Sequence, residues 1–230
     1  MQTVRVNRKG ADRVGSGHVW IFASDVLDTG TAGPGDAVRV VDPKGRPVGL
    51  AHFSTTSQIA LRFLGRHVEP IDSAFLLRRI GAAYEHRKKV VRDSDAYRLI
   101  HAEGDLLPGL VVDRYGEYLV AQFLSQGMDR LTIEVVSVLQ RLLSPAGIVA
   151  RNDVAVRAKE NLPVEVRTLA GDIPEEVEVH LNGLICRADL LGGQKTGIFL
   201  DQRENYLAAR SIASAQRADL RFTSQESATR

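Results

Sequence analysis

The apolar periodicity of this chain changes near Glu69-Pro70, and that break constrains its fold more than any other feature. Before it lie short alternating or compact apolar runs: Thr3-Val4-Arg5-Val6, Trp20-Ile21-Phe22, Ala37-Val38-Arg39-Val40-Val41, residues 48–53 and residues 59–64. Turn signals separate them, among them residues 30–36 and Asp42-Pro43-Lys44-Gly45. Short strands at such close spacing predict a small β-barrel or sandwich-like module over residues 1–70. After the break, Asp72-Ser73 can cap a helix running from about Ala74 toward Arg92, with Phe75, Leu76, Ile80, Ala83 and Val90 on its apolar side.

The following segment mixes both periodicities. Strands are expected at 98–102, 109–114, 118–124, 148–151 and 164–169, with an amphipathic helix at 128–143 ended by Pro145 and Gly147. Residues 177–181 and 184–189 alternate around Asn182-Gly183, a strong hairpin signal. Residues 75–190 therefore read as a second, mixed α/β unit. Ser211 to Arg230 is polar, lacks a clear period and reads as an aberrant tail.

Between that unit and the tail lies Gly192-Gly193-Gln194-Lys195-Thr196-Gly197-Ile198-Phe199-Leu200-Asp201-Gln202-Arg203, leading into a helix at about 201–210. Glycines allow close backbone approach, and the lysine, acid, amide and arginine can pair with carboxylate or hydroxyl groups. The stretch has neither the order of a P-loop nor that of a dinucleotide-binding glycine turn. On residue types alone, a ligand loop and a structural loop-to-helix turn remain equally open. Only 27 residues follow Arg203, too few for a nucleotide-binding domain, so a site built on this segment is expected to be cut short.

Composition narrows the remaining options. The net charge of +2 leans mildly toward anionic partners and identifies none. A single cysteine, Cys186, excludes an internal disulfide and a cysteine-based zinc cluster, and fits a reducing, cytoplasmic setting. No apolar run approaches the roughly 20 residues of a membrane span, so no membrane partner is expected. Cys186 sits on an alternating strand, where a small buried hydrophobe suits it better than a nucleophile does.

Arg5, Arg8, Lys9 and Arg13 crowd the N-terminus, followed by His18 and Trp20, and Arg62 and Arg66 return at the end of the first module. Cations beside an aromatic can grip a phosphate backbone and stack a base. The alternative is a solvated edge with Trp20 in the core. The basic residues of the 78–92 helix either track phosphates or form an exposed face. His101, Glu103 and Asp105 suit acid–base work, a hard metal or a tight structural loop. No second cluster with metal-ligand spacing accompanies them, and no metal is expected.

Several of these segments together resemble one family, the PUA-domain class I S-adenosylmethionine-dependent rRNA methyltransferases of the large-subunit cytosine-C5 type. The likeness covers about residues 1–210. It rests on Lys9-Gly10 with 17–22, Gly35-Asp36 through Gly49, 102–105 with Leu107-Pro108-Gly109-Leu110, Val112-Asp113-Arg114-Tyr115-Gly116, and the 193–205 segment. The resemblance implies an α+β, mixed fold: a PUA-like RNA-binding β-barrel (1–70), a central mixed α/β domain (75–190), and a lead-in (191–210) that is the stub of a C-terminal Rossmann-like methyltransferase domain. It implies S-adenosylmethionine as the family cofactor and rRNA as partner, with a homodimer left open. Lys195, Thr196, Gly197, Asp201, Gln202 and Arg203 are the positions that would border the cofactor; Arg5, Lys9, Arg13, His18, Trp20 and Arg62 would meet RNA. The family's glycine-rich cofactor turn and catalytic cysteine find no counterpart here. The expectation is a C-terminally truncated relative that binds RNA and does not methylate alone, with a stand-alone RNA-binding module as the rival.

Overall fold

The computed structural model describes residues 1–213; the expected tail from Ser214 onward lies outside them, and residues 203–213 are helical. The first sheet is built from β1 (Gln2–Val6), β2 (Trp20–Ile21), β3 (Val26–Asp28), β4 (Ala37–Val41), β5 (Pro47–Phe53) and β6 (Leu61–Gly65). Its order is β2-β6-β5-β4-β1-β3, with β1 and β4 parallel and the other pairs antiparallel. The two edge strands are neighbours in sequence, joined only by residues 22–25. Six strands laid flat would hold those edges about 24 Å apart, at roughly 4.8 Å per strand. The link spans at most about 17 Å even when extended, and it contains a 3₁₀ turn over Ala23–Asp25. The sheet must therefore curl on itself, as a barrel-like module requires. Val4, Val6, Ile21, Val38, Val40, Ala51, Phe53 and Leu61 fill its inside.

Helix α1 (Arg8–Gly15) closes one end of this module. Polar composition hides it in the sequence; the Asn7 side chain caps it by accepting from the Gly10 N–H at 2.7 Å. Gly10 lies against Ile21, Val6 and Asp25, where an added Cβ would sit at 3.2–3.4 Å from their atoms.

Helix α2 (Ser73–Val90) begins where the period changes, its Phe75 N–H donating to Asp72 Oδ1 at 2.9 Å. The second sheet comprises β7 (Ala96–His101), β8 (Leu110–Tyr115), β9 (Tyr118–Phe123), β10 (Gly147–Arg151) and β11 (Val166–Gly171), in the order β11-β10-β9-β8-β7. β9 and β10 are parallel, so the chain crosses between them through α3 (Gln126–Asp129) and α4 (Thr132–Leu143). The single helix expected over 128–143 is thus two, interrupted where Asp129 pairs with Arg157 and Thr132 Oγ1 donates to the Asp129 carbonyl at 2.7 Å. A four-residue helix, α5 (Val156–Lys159), is too short to show a period in the sequence.

Strand alternation assigns the two faces of this sheet. Leu119, Ala121, Phe123 and Ile148 pack with Phe75, Leu76 and Ile80 of α2 and Val135 and Leu139 of α4. Leu50 and Leu64 of the first sheet enter the same core, so the two sheets share apolar packing. Val120, Val149, Ala96 and Tyr115 face the other way, against the hairpin of β12 (Val177–Leu181) and β13 (Leu184–Ala188) and against Leu190. The hairpin turns at Asn182 and Gly183, both with positive φ (51° and 76°), the geometry that Asn-Gly favours.

Candidate functional site

The Gly192–Arg203 segment lies over the hairpin-side face of the second sheet, and sheet residues hold it there. Asp189 Oδ1 accepts from the N–H groups of Leu191 and Gly192 at 2.9 and 2.8 Å. These bonds, Gly192 first, hold the Asp189 carboxyl below its ordinary pKa. Arg151, 4% exposed, donates to the carbonyls of Leu190 and Gly193 at 3.3 and 2.9 Å. At Gly193 a Cβ would collide with the Asp189 carbonyl, so no other residue fits this turn.

Thr196 is 3% exposed and is the anchor of the loop. Its hydroxyl donates to Asp113 Oδ2 at 2.7 Å and lies 2.9 Å from the Tyr115 hydroxyl. Asp113 is fully buried, and Arg98 meets it with Nε at 2.9 Å and Nη2 at 3.1 Å. The bond to Asp113 raises the Arg98 pKa, so the guanidinium stays charged. Burial pushes the Tyr115 phenol up to about 12, so it remains a neutral hydrogen-bonding group. Asp113 and Tyr115 belong to the Val112–Gly116 segment on β8. Two segments more than 80 positions apart therefore form one unit. The sequence offered Asp113 and Tyr115 as motif members but gave no sign of their partner.

Arg98, Asp113 and Thr196 of this unit line a cleft of about 380 Å³, within the range of small-ligand sites, with Tyr115 buried outside it. Lys195, Thr196, Asp201 and Arg203 line it with Arg87, Arg98, His101, Tyr97 and Asp113. Lys195 holds Asp201 at 2.8 and 3.0 Å and lies 4.6 Å from the Phe199 ring centre. The Lys195 bond keeps the Asp201 carboxyl below its ordinary range. Arg203 contacts Glu204 at 3.0 Å, and its carbonyl accepts from Asn182 of the hairpin turn. Gly197, at φ 148°, lies against Leu190 and Tyr115 and faces the apolar side of the loop. Gln202 ends the short 3₁₀ turn and its side chain accepts from Asn205 Nδ2. Four of the six positions expected to border a cofactor thus share one cleft, and Gly197 and Gln202 stand beside it.

The bulge in β7 shapes the cleft rim. Arg98 pairs with Asp113 while Ile100 pairs with Val112, so Leu99 is the extra residue. In a regular strand Arg98 and His101, three positions apart, would point to opposite faces; the bulge brings both to the cleft.

The residues expected to meet RNA separate into three groups. Arg5, Lys9 and His18 are exposed. Arg13 is half-buried, 3.5 Å from Asp25 and stacked 4.7 Å from the Phe22 ring centre. Trp20 is half-buried, and its indole Nε1 donates to Glu103 Oε1 at 2.8 Å. Arg62 is a correction. It is 6% exposed, and its Nη2 lies 2.9 Å from Glu160 Oε1, a charge contact rather than an angled hydrogen bond. Ser54 and the Gln126 N–H also donate to Glu160. Arg62 therefore ties the first sheet to the end of α5 inside the protein. An alternating strand cannot announce this, because the partner lies 98 positions away.

The His101–Asp105 segment is a structural turn of the same junction. Asp105 accepts from Nη1 and Nη2 of Arg87 at 2.6 and 2.7 Å and from the His101 N–H at 2.6 Å. No group of three or more His, Cys, Asp or Glu among the described residues could hold a metal ion. No helix among them is long and apolar enough to cross a membrane. Cys186 is half-buried against the hairpin core.

Residues 4–66 match the model of the PUA-like domain family. The chain is 39% identical over 207 residues to the Ribosomal RNA large subunit methyltransferase I of Tolumonas auensis, covering 87% of this chain and 52% of that protein. With the protein of the same description from Salmonella arizonae the identity is 36% over 205 residues, covering 87% and 51%. Among solved structures, a candidate methyltransferase complexed with SAH superposes with a TM-score of 0.76 at 19% identity, covering 89% of this chain and 52% of that one. A candidate SAM-dependent methyltransferase from Streptococcus mutans gives 0.75 at 19%. The last two show a shared fold. The chain spans about half the length of the curated relatives it matches.

Proposed function

We propose that this chain is the RNA-engaging part of an S-adenosylmethionine-dependent methyltransferase acting on large-subunit rRNA, of the cytosine-C5 type. In this reading residues 1–70 hold RNA, residues 75–190 carry the cleft, and residues 191–210 lead toward a Rossmann-like domain. What carries it is the joining of two distant motif segments through Asp113, Tyr115 and Thr196, with Asp113 and Thr196 lining one charged cleft. The likeness to rRNA methyltransferases over 87% of the chain supplies the reaction class.

The cleft chemistry fits the cofactor. Arg203 and Lys195 suit the methionine carboxylate, and Asp201 suits ribose hydroxyls. When bound, S-adenosylmethionine supplies the methyl group. The residues of this chain orient it: Asp113 fixes Thr196, and Thr196 fixes the loop that carries Lys195. C5 methylation of cytosine also needs a thiolate to attack C6 of the ring, and Cys186 on β13 is not assigned that role.

The expected behaviour of the 230-residue polypeptide is RNA binding without turnover. Tritiated cofactor and rRNA test it, and methyl transfer well above background overturns it. A salt titration tests the RNA part, since five phosphate contacts give a log–log slope of about −3.5 on single strands. A second reading, an RNA-binding module without a cofactor, is favoured by the match of residues 4–66 to the PUA-like domain family. Calorimetry separates the two: micromolar S-adenosylmethionine binding supports the first, and silence supports the second.

A further inference from the structure

The first module and the cleft meet at one exposed corner. His18 and Trp20 stand edge to face, their ring centres 5.9 Å apart, at the β2 edge of the first sheet. The Trp20 indole is tied to Glu103 across the junction at 2.8 Å. Gly104 follows Glu103 and lies against the His101 ring, where even a Cβ would come within 3.2 Å of Cδ2. His101 in turn lines the cleft. Aromatic edge, turn and cleft rim are therefore consecutive along the surface.

The chemistry along this line suits a single nucleic-acid strand. An aromatic pair offers a stacking platform. Of the two acids in the turn, Asp105 has both its oxygens taken up by Arg87, and Glu103 accepts from the neutral Trp20 indole. Beyond the turn, the Leu99 bulge brings Arg98 and His101 to the same rim. Asp113 occupies Nε and Nη2 of Arg98, while the Arg98 side chain remains 40% exposed toward the cleft. Held this way, the guanidinium is a preorganised anion contact.

We infer that one strand of RNA runs from the His18–Trp20 edge, over the Glu103–Gly104 turn, to the β7 bulge, where Arg98 and His101 take a phosphate of the nucleotide entering the cleft. The inference rests on the RNA reading above and adds its path: stacking at the β2 edge and phosphate capture at the cleft. The Leu99 bulge is then a functional device, aiming two side chains that a regular strand would separate.

The test uses the whole chain and single-stranded RNA of about twelve nucleotides, within the range of single-strand sites. One thiouridine is moved along the oligomer, and photo-adducts are mapped by mass spectrometry. The path predicts adducts at His18 or Trp20 from one nucleotide and at His101 from another in the same oligomer. Arg98→Gln should make the salt slope shallower by about 0.7, the share of one phosphate on a single strand. Because Arg98 also supports Asp113, His101→Ala is the independent variant. It should weaken RNA binding and leave the Trp20 adduct in place. RNA binding with no adduct at His101, and with affinity and slope unchanged in both variants, overturns the path and leaves the RNA reading standing. Failure to bind RNA at any length overturns that reading itself.

Discussion

Two arginine–carboxylate pairs in this molecule use the same chemistry to opposite ends. Arg62 and Glu160 lie between the two sheets, with side chains 8% and 0% exposed; Arg98 and Asp113 form the cleft floor, at 40% and 1%. Both acids are buried, so both need a cation and hydrogen bonds to offset desolvation. The difference lies in the arginine. Arg62 is enclosed by Glu160 and by the Ile59 carbonyl, to which Nη1 donates at 3.0 Å, and the pair serves only to join. Arg98 keeps an open side, so its pair can both brace the loop and meet a ligand. Around Glu160 the joint continues: Gln126 Nε2 donates to the Glu160 carbonyl, the Thr55 N–H donates to Gln126 Oε1, and Arg130 holds Asp36 at 2.7 Å. Leu50 and Leu64 add apolar contacts to the joint by entering the helices' core.

Removing Glu160 should therefore produce the largest loss. Glu160→Ala leaves Arg62 buried without its partner, at a cost of about 3–5 kcal/mol. Urea denaturation measures this, and a loss below about 1 kcal/mol would place Glu160 outside the joint. The same region should also be the more sensitive to acid. His52 is 3% exposed beside Gly127 of α3, and burial, then Arg62 and Arg130, lower its pKa from 6.5 to about 4. Between these two values the unfolded chain holds more protons, so stability is complete above pH 6.5 and is lost as pH falls toward 4. The total is about 3 kcal/mol at 1.36 kcal/mol per unit. Melting curves from pH 7 to 4 should show this loss, and His52→Phe should flatten that segment of the profile. An unchanged profile in the variant would mean that other groups carry the acid response.

At the cleft the effects should be smaller and more local. Asp113→Asn weakens charge-assisted bonds to a partly solvated Arg98, a loss of about 1–2 kcal/mol after allowing for that exposure. Hydrogen exchange should rise at residues 195–198 and stay unchanged at Gln126. Equal rises at both places would dissolve the contrast between joint and cleft. Lys195→Ala should be the least costly, with no measurable change in melting temperature, since its pair with Asp201 is exposed. A clear destabilisation would show that the loop leans on Lys195 rather than on Thr196.

Much of the fold was legible because local chemistry and tertiary context agreed. Val177–Leu181 alternates over its whole length and Ala37–Val41 as far as Val40, Asp72 caps α2, and Asn182-Gly183 turns the hairpin. Legibility failed where length or polarity removed the signal. α1 carries only two buried residues, Gly10 and Val14, and α5 has a single turn centred on the buried Arg157. The 192–203 segment was legible as a ligand-competent composition, yet its anchor was not, because Thr196 is held by Asp113 and Tyr115 across 83 and 81 positions.

The order of residues by itself determined the two periodicities, the point at 69–70 where one replaces the other, and the set of groups available to bind an anion. Those properties act over a few residues, through backbone preference and alternation. Only the tertiary structure decided which arginine closes a joint and which faces a cleft. A desolvated carboxylate selects its cation by proximity in space, and a single extra residue in β7 decides which way the neighbouring side chains point.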